Sequence, residues 1–243
     1  MTLTSSNIID FKTLYLDLRE KEGRIYTDEE LLYLPAVPKS HVYYAEWQIR
    51  KHSSKRLIHY LSRKQSLIKI LEVGSGNGCL SHCLAEIQGS TVIGTDINFT
   101  ELQQGARVFS HISNLHFIYG DIRSGIFENT QFDCIIFASS IQYFPSLTEI
   151  ISYALRLLRP NGEIHILDSP FYKPGELEAA RQRSAVHFTA LGFPELIRYY
   201  SHHTAEDLSR FEYKTLYQPG SLGHFIFHPA NPFPWFCIKG NKI

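Results

Sequence analysis

The sequence predicts an α/β protein built on a doubly wound, mostly parallel sheet. Short apolar runs alternate with helical patterns from residue 67 to residue 168, which is typical of parallel strands joined by crossover helices. The chain has 243 residues, of which 44% are hydrophobic, so it can bury a substantial core. Lys and Arg balance Asp and Glu at 24 each. That balance disfavours a protein whose affinity depends on covering nucleic-acid phosphates.

Residues 1–66 carry little strand signal and are predicted to form a helical amino-terminal cap. The segment 27–30 precedes an apolar run and indicates a helix start, whereas Pro35 and Pro38 interrupt the chain. Residues 43–61 have helical apolar spacing with a basic polar face. The main domain is expected over residues 67–243.

Five strands are predicted from apolar runs that end in turn-forming or polar residues: 67–73, 91–96, 115–119, 132–138 and 163–168. Helices are expected at 79–88, from Thr100 to about His111, and from Ser146, where Thr100–Gln103 and Ser146–Glu149 have capping-box spacing. The segment 159–162 is predicted to form the turn into the fifth strand.

Beyond Asp168 the strand–helix alternation stops. Residues 174–208 are predicted to be mostly helical, with an interruption at 192–194, and a lid insertion is expected at about 171–208. Two later strand-like segments, 211–217 and 235–239, are interpreted as a closing antiparallel hairpin.

Location is predicted from what the chain lacks. The first ten residues have neither the basic nor the apolar region of a signal peptide. The longest apolar run is about five residues, far short of a membrane span. Four cysteines without a C-x-x-C pair indicate reduced thiols. We therefore expect a cytoplasmic protein without membrane spans.

The chemistry-bearing residues lie at the ends of the first three strands. The first strand ends in Glu72-x-Gly74-x-Gly76-x-Gly78, where glycine lets the backbone turn sharply and a ligand come close. The second ends in Asp96, a carboxylate placed to accept bonds from two ribose hydroxyls. Asp121 follows the third strand, placed to meet an adenine amino group. Since ligands of such sheets bind outside the carboxyl ends of the strands, the three positions together predict a nucleoside site.

A nicotinamide dehydrogenase is the main rival, because it also uses a glycine turn and a ribose acid. Its fingerprint is G-x-G-x-x-G. Here the third glycine comes one residue early, at Gly78, and Cys79 occupies the sixth position. This spacing and the second acid, Asp121, disfavour the dehydrogenase.

Five successive segments, in order, resemble the motifs of the Rossmann-like (class I) S-adenosylmethionine-dependent methyltransferases: 70–78, 94–97, 120–122, 132–137 and 157–163. The resemblance covers about residues 67–168 and, more loosely, the final hairpin. It implies a seven-stranded sheet with an antiparallel last strand, and S-adenosylmethionine as the cofactor.

The resemblance also implies ten cofactor-binding residues, in chain order Glu72, Gly74, Ser75, Gly76, Asp96, Ile97, Asp121, Ile122, Ala138 and Ser139. The first four lie along the methionine, Asp96 holds the ribose with Ile97 against the adenine, and Asp121 and the Ile122 amide meet the adenine edge. The Ala138–Ser139 backbone approaches the methionine amino group.

The acceptor is predicted to be a small molecule. The segment 139–144, at the expected methyl-transfer position, lacks the Asn/Asp-Pro-Pro-Tyr signature of exocyclic-amine methyltransferases and the Pro-Cys of cytosine-C5 enzymes. Since a sulfonium methyl is already activated, the main task is alignment of the reactants. A base is needed only for an acceptor that must lose a proton early.

Four residues are candidates for the base or for acceptor binding: Tyr143, His187, His202 and His203. Trp47 and Arg50 could close over the cofactor. No metal site is predicted, because no histidine pair shows clean ligand spacing with a carboxylate.

Two alternatives stay open at this stage. A non-catalytic protein that binds S-adenosylmethionine or its product would lack an enclosed cavity facing Ser139 and Tyr143. An RNA methyltransferase would need an open basic groove, for which the basic run 50–69 is the candidate. The sequence gives no oligomeric state.

Overall fold

The computed structural model describes residues 5–64, 67–220 and 231–240. Nine strands are assigned: β1 (Ile68–Val73), β2 (Ser90–Asp96), β3 (Leu115–Tyr119), β4 (Phe132–Ala138), β5 (Leu158–Leu167), β6 (Phe171–Tyr172), β7 (His203–Thr204), β8 (Tyr213–Tyr217) and β9 (Trp235–Lys239). Seven form one sheet in the order β3-β2-β1-β4-β5-β9-β8. Every neighbouring pair is parallel except the two made by β9, which is antiparallel to β5 and β8. The predicted fold class, including the antiparallel last strand, is confirmed.

Seven α-helices accompany the strands in the described residues: α1 (Ser5–Lys21), α2 (Asp28–Tyr33), α3 (Tyr44–Leu61), α4 (Cys79–Ala85), α5 (Phe99–Val108), α6 (Leu147–Arg156) and α7 (Leu177–Leu191). The first three precede the sheet, and α7 lies between β6 and β7. Short 3₁₀ segments include 141–143 and 194–199. Within the described residues, no helix combines the length and the apolar composition needed to cross a bilayer.

The sheet divides the core into two layers. Successive side chains of a strand point to opposite faces, so Leu71 and Ile135 contribute to one apolar cluster, whereas Ile70 and Ile136 contribute to the other. The first layer is covered by α6, and the second by α3 and α4. Because both faces are covered, the central strands are apolar along nearly their whole length.

A third, smaller cluster joins the amino-terminal helix to the region around α7. Phe11 and Leu18 of α1 pack with Phe188 of α7 and with Leu196. We call α1, α7 and residues 194–200 the cover, since they lie over the carboxyl ends of β1 and β4.

Two predicted helix starts are confirmed and one is wrong. Thr27 forms a capping box with Glu30, and Ser146 caps α6. However, α5 begins at Phe99, with Asn98 rather than Thr100 as its cap. Asn98 has an extended backbone directly after β2, and its side-chain oxygen accepts a bond from the Glu101 amide (3.3 Å). Asn is as good a cap as Thr. The position where β2 ends therefore determines that Asn98, and not Thr100, caps the helix.

The fifth strand also begins earlier than predicted. Phe132 pairs with Leu158, and Cys134 pairs with Glu163, so the predicted turn 159–162 is a bulge inside β5. Asn161 has a φ of 65° at this bulge, in the left-handed region that Asn tolerates better than most residues. The short parallel ribbon of β6 and β7 was not predicted.

Candidate active site

The loop after β1 runs tightly against the end of β4. Gly74 has a φ of 75°, and a Cβ added there would lie 2.5 Å from the Cβ of Ser140. The Gly76 amide donates to Asp96 Oδ2 (2.7 Å), and the Asn98 amide donates to Asp96 Oδ1 (2.7 Å). Asp96 therefore fixes the glycine loop to the end of β2.

Asp96 keeps spare acceptor capacity despite these two bonds, because a carboxylate offers about four lone-pair positions. Burial raises the pKa of Asp96, and the amides of Asn98 and Gly76 partly oppose this. The carboxylate lines a small cavity of about 120 Å³. It can thus accept further hydrogen bonds from a ligand.

The small cavity contains the residues predicted to hold the nucleoside. Its lining includes Ile97, Asp121 and Ile122 together with Asp96. Asp121 accepts a bond from the Arg123 guanidinium (2.6 Å), and although burial raises its pKa, Arg123 lowers it overall. The Asp121 carboxylate is therefore ionised at neutral pH and can accept a hydrogen bond from an amino group.

A larger cavity of about 490 Å³ adjoins the small one. Its walls come from α1, α3 and α7, and it contains Glu72, Ser75 and Ala138. The residues that line both cavities are Tyr15, Gly74, Gly76, Ser139 and Tyr143. Each of the ten residues that the resemblance assigns to the cofactor lines one cavity or both.

Glu72 is a buried carboxyl group at the end of β1. It is 3% exposed and accepts a hydrogen bond from the Ser81 hydroxyl. Among the described residues, no cationic side chain lies within 4.0 Å of Glu72. Burial raises the pKa of Glu72 to about 8. A carboxyl in this position would gain strongly from a cationic ligand group such as an ammonium.

An ion-pair network forms one wall of the larger cavity. Both Arg24 terminal nitrogens bind Glu46 (2.9 and 2.6 Å), and Arg50 binds the same carboxylate (3.0 Å). Burial raises the pKa of Glu46, but the two guanidiniums outweigh it and lower the value to about 2. Arg50 also donates to Ser139 Oγ (3.2 Å), so its guanidinium is fixed beside the end of β4.

Tyr143 lies where the two cavities meet, at the position expected for methyl transfer. Its ring packs against Phe11 (5.6 Å between centroids) and Tyr200 (6.0 Å). Burial raises the pKa of Tyr143 to about 12, so at neutral pH the phenol is a hydrogen-bond donor and not a base.

The three histidine candidates occupy different places. His187 lines the larger cavity, with Nε2 3.7 Å from Glu22 Oε1. His202 bonds Ser184 Oγ (2.9 Å), and the buried His203 places Nε2 3.3 Å from the Ile141 carbonyl oxygen. The described lining of the two cavities includes neither His202 nor His203. A catalytic role for these two stays a prediction that their positions do not support.

Asp168 is a site residue that the sequence analysis did not single out. It follows β5, has a φ of 53° and lines the larger cavity. Ser53 Oγ donates to it (2.5 Å), as does Asn231 Nδ2 (3.3 Å). The rule that ligands bind at strand ends could have indicated it.

Glu163, His165 and Cys237 form a buried cluster whose ligand atoms lie within 4.8 Å of one another. The Trp235 indole donates to His165 Nδ1 (3.1 Å), so a neutral His165 carries its proton on Nε2, which faces Glu163 (3.4 Å). Lys64 Nζ forms an ion pair with the same carboxylate, 2.8 Å from Glu163 Oε2. A protonated Nε2 cannot bind a metal, so the contacts favour a structural polar cluster.

The methyltransferase domain family matches residues 70–162. The matched range is less than half of the chain. It confirms the resemblance to the Rossmann-like S-adenosylmethionine-dependent methyltransferases, whose methyl donor is the predicted cofactor.

Curated methyltransferases match part of the chain. It is 34% identical over 108 residues to the ubiquinone biosynthesis O-methyltransferase of Pasteurella multocida, which is 40% of this chain and 44% of that protein. It is 30% identical over 139 residues to the ubiquinone/menaquinone biosynthesis C-methyltransferase UbiE of Pseudomonas putida, 55% and 54% of the two chains. The chain thus spans about half the length of these relatives.

Solved methyltransferase structures share the fold over a greater length. The CurJ carbon methyltransferase has a TM-score of 0.62 at 18% identity, covering 98% of this chain and 69% of that one. The plantazolicin methyltransferase BpumL, in complex with SAH, has a TM-score of 0.60 at 15% identity, covering 98% of both chains. At these identities the likeness concerns the methyltransferase fold.

Proposed function

We propose that this methyltransferase-domain protein transfers the methyl group of S-adenosylmethionine to a small-molecule acceptor by direct in-line displacement. The observation that carries the proposal is the junction of the two cavities. The residues assigned to the nucleoside line the smaller cavity, and the larger cavity extends beyond them. They meet at Gly74, Ser139 and Tyr143, where a methyl group passing between two ligands would lie.

The residues present fit S-adenosylmethionine. Asp96 has lone pairs free for ribose hydroxyls, and Asp121 suits the adenine edge. The buried Glu72, which has no cation within ion-pair distance in the described chain, suits the methionine ammonium. Arg50, fixed between Glu46 and Ser139, suits the methionine carboxylate.

The chemistry requires little covalent participation by the chain. When bound, the cofactor supplies a methyl group already activated by its positive sulfur. The cavity walls then align the acceptor and exclude water, which is where most of the rate gain arises. Tyr143 can donate a hydrogen bond at the junction. For a hydroxyl acceptor, His187 is the histidine candidate that lines the cavity and could take the proton.

The shape of the larger cavity favours a small acceptor. Helices α1, α3 and α7 contribute to its lining, whereas RNA would need an open basic groove. The basic run 50–69 is partly used within the chain, because Arg50 binds Glu46 and Lys64 binds Glu163. The names of the ubiquinone-biosynthesis relatives agree with a small acceptor.

A cavity that contains Ser139 and Tyr143 in its lining favours an enzyme over a protein that only binds the cofactor. In this proposal residues 1–66 form the cap, and residues 171–208 form the lid through which the acceptor enters. The main domain covers residues 67–243, and the protein works in the cytoplasm.

Calorimetry with S-adenosylhomocysteine tests the cofactor assignment on the wild type and Asp96→Ala. Losing two charge-assisted hydrogen bonds, at about 1.5–3 kcal/mol each, should weaken binding by about 100-fold or more. Asp28→Ala is the matched control, because Asp28 is an exposed acid that pairs with Arg107 away from both cavities. Asp96→Asn, with melting temperatures for all variants, separates lost binding from lost folding.

Similar affinity in wild type and Asp96→Ala would contradict the proposal. If the nucleoside site stands, a methyl-transfer screen over small metabolites then identifies the acceptor. No turnover with any of them, despite tight cofactor binding, would favour the non-catalytic alternative.

A further inference from the structure

The inward face of α1 presents an arginine to the larger cavity. Tyr15, Leu18, Arg19 and Glu22 recur at helical spacing and all line this cavity. The Nε atom of Arg19 is buried and has no hydrogen-bond partner. Among the described residues, no carboxylate lies within 4.0 Å of the Arg19 guanidinium. A half-buried cation without an anion is costly unless a ligand supplies one.

The neighbouring arginines differ in this respect. Arg24 and Arg50 share Glu46, and Arg24 also lies 3.3 Å from Glu22. Each of these guanidiniums thus has a carboxylate within ion-pair distance, although the two share Glu46. Arg19 instead brings to the cavity a positive charge with no carboxylate of the described residues within 4.0 Å.

The groups nearest Arg19 do not remove this charge. The Tyr15 ring lies 5.9 Å from the Arg19 guanidinium carbon, and burial keeps the pKa of Tyr15 well above its ordinary value, so the phenol is neutral. Burial raises the pKa of Glu101 to about 7, although Arg19 opposes this. Glu101 is therefore only partly ionised at neutral pH, and it is outside ion-pair distance.

Aromatic rings continue the wall from Arg19 towards the junction of the cavities. Tyr15 packs edge-on against Tyr143 (5.9 Å), Tyr143 against Tyr200 (6.0 Å), and Tyr200 against Phe188 (5.8 Å). Such a wall suits a flat, apolar body. The cavity thus joins a cationic end to an aromatic side.

We propose that Arg19 binds a carboxylate of the methyl acceptor, while the flat body of that acid lies against Tyr143 and Tyr200. A guanidinium matches a carboxylate in a planar, bidentate arrangement. The acceptor class is therefore a small aromatic or similarly flat carboxylic acid. This inference rests on the proposed function.

The methionine carboxylate of the cofactor is the other carboxylate that Arg19 could bind. Arg50 is better placed to bind that group, because Arg50 contacts Ser139, next to the backbone assigned to the methionine end. Arg19 lies on α1, among residues that the cofactor assignment does not use. We therefore assign Arg19 to the acceptor.

The test compares acids with their amides at saturating S-adenosylhomocysteine. The probes are 4-hydroxybenzoate, 4-hydroxyphenylacetate and 4-hydroxycinnamate, each paired with its primary amide, with binding followed by calorimetry. In the wild type, at least one acid should bind about 10-fold more tightly than its amide, since a charged pair replaces a neutral bond. Arg19→Gln should abolish that preference, and Arg19→Lys should restore part of it.

Two controls make the comparison specific. Arg181→Gln removes an exposed arginine of α7 that is outside the described cavity lining, and it should keep the wild-type preference. The affinity of Arg19→Gln for S-adenosylhomocysteine should stay within about twofold of wild type, and its melting temperature reports folding.

Three results would overturn the inference. One is a panel in which no acid binds more tightly than its amide. Another is an acid preference that survives in Arg19→Gln. The third is a loss of about 10-fold or more in S-adenosylhomocysteine affinity in folded Arg19→Gln, which would assign Arg19 to the methionine and leave the proposed function intact. Failure of the wild type to bind S-adenosylhomocysteine would instead contradict the proposed function.

Discussion

The sheet and the cover are assembled from different kinds of contact. In the sheet, β1 and β4 are mostly apolar and buried, and Ile135, Ile136 and Phe137 are 0% exposed. The cover is joined by a small cluster of buried side chains, with partly exposed tyrosines around it. The sheet therefore supplies a rigid frame for the nucleoside, whereas the cover supplies the walls of the larger cavity. In such an arrangement the acceptor can change with the cover while the frame stays the same.

The largest effect on stability should come from the sheet. Phe137→Ala removes a fully buried ring from β4, and the cavity left in a close-packed layer should lower the free energy of unfolding by about 3–5 kcal/mol. Urea unfolding followed by circular dichroism measures this. Val186→Ala on α7, where Val186 is 70% exposed, is the control and should change stability by less than about 0.5 kcal/mol. If Phe137→Ala lowered the free energy of unfolding by less than about 1 kcal/mol, the sheet would not be the rigid part of the molecule.

The polar end of the sheet should make stability depend on pH. Burial raises the pKa of Glu72 to about 8, whereas an unfolded Glu titrates near 4.3. Between these values the folded state holds more protons than the unfolded state, so the free energy of unfolding falls as pH rises from about 5 to 8. We expect a decrease of about 3–4 kcal/mol in the ligand-free protein.

Urea unfolding across that pH range provides the measurement. Glu72→Gln should weaken the dependence, and part of it should remain because burial also raises the pKa of Glu101 to about 7. Glu20→Gln, which changes an exposed carboxyl on α1, should retain it. An unchanged slope in Glu72→Gln would show that Glu72 is not the group responsible.

The smallest global effect should come from the cover. Phe188→Ala removes a ring from the cluster between α1 and α7. The surrounding rings are partly exposed and can collapse, so the global loss should be about 1–2 kcal/mol. Hydrogen exchange should nevertheless speed up in α1 and α7 and stay unchanged in β1 and β4. If exchange in β1 rose equally, the cover and the sheet would open as one unit.

The sequence predicts the sheet better than the cover for a physical reason. The bounds of β4 and β9 follow directly from apolar runs, because a strand covered on both faces is apolar along most of its length. Local caps such as Thr27 and Ser146 are equally visible. The bulge at 159–162 and the ribbon of β6 with β7 depend on neighbouring strands, and no local pattern marks them.

The same distinction applies to the candidate site. Asp96 and Asp121 were found because strand ends converge on one edge of a parallel sheet. Arg19 is not predicted, since α1 is distant in sequence from the strand ends and no local pattern shows that the inward face of α1 contacts the cavity. His202 and His203 were selected by residue type alone, and the packing turns them away from the cavity lining.

The bond between the Gly76 amide and Asp96 has a consequence for redesign. One carboxylate supports both the loop assigned to the methionine and the position assigned to the sugar, so the two halves of the cofactor site are mechanically coupled. Lengthening that side chain, as in Asp96→Glu, would displace the loop as well as the sugar contact. Cofactor analogues with a modified base are easier to accommodate, because altering Ile97 or Asp121 on the adenine side leaves the bond between the Gly76 amide and Asp96 in place.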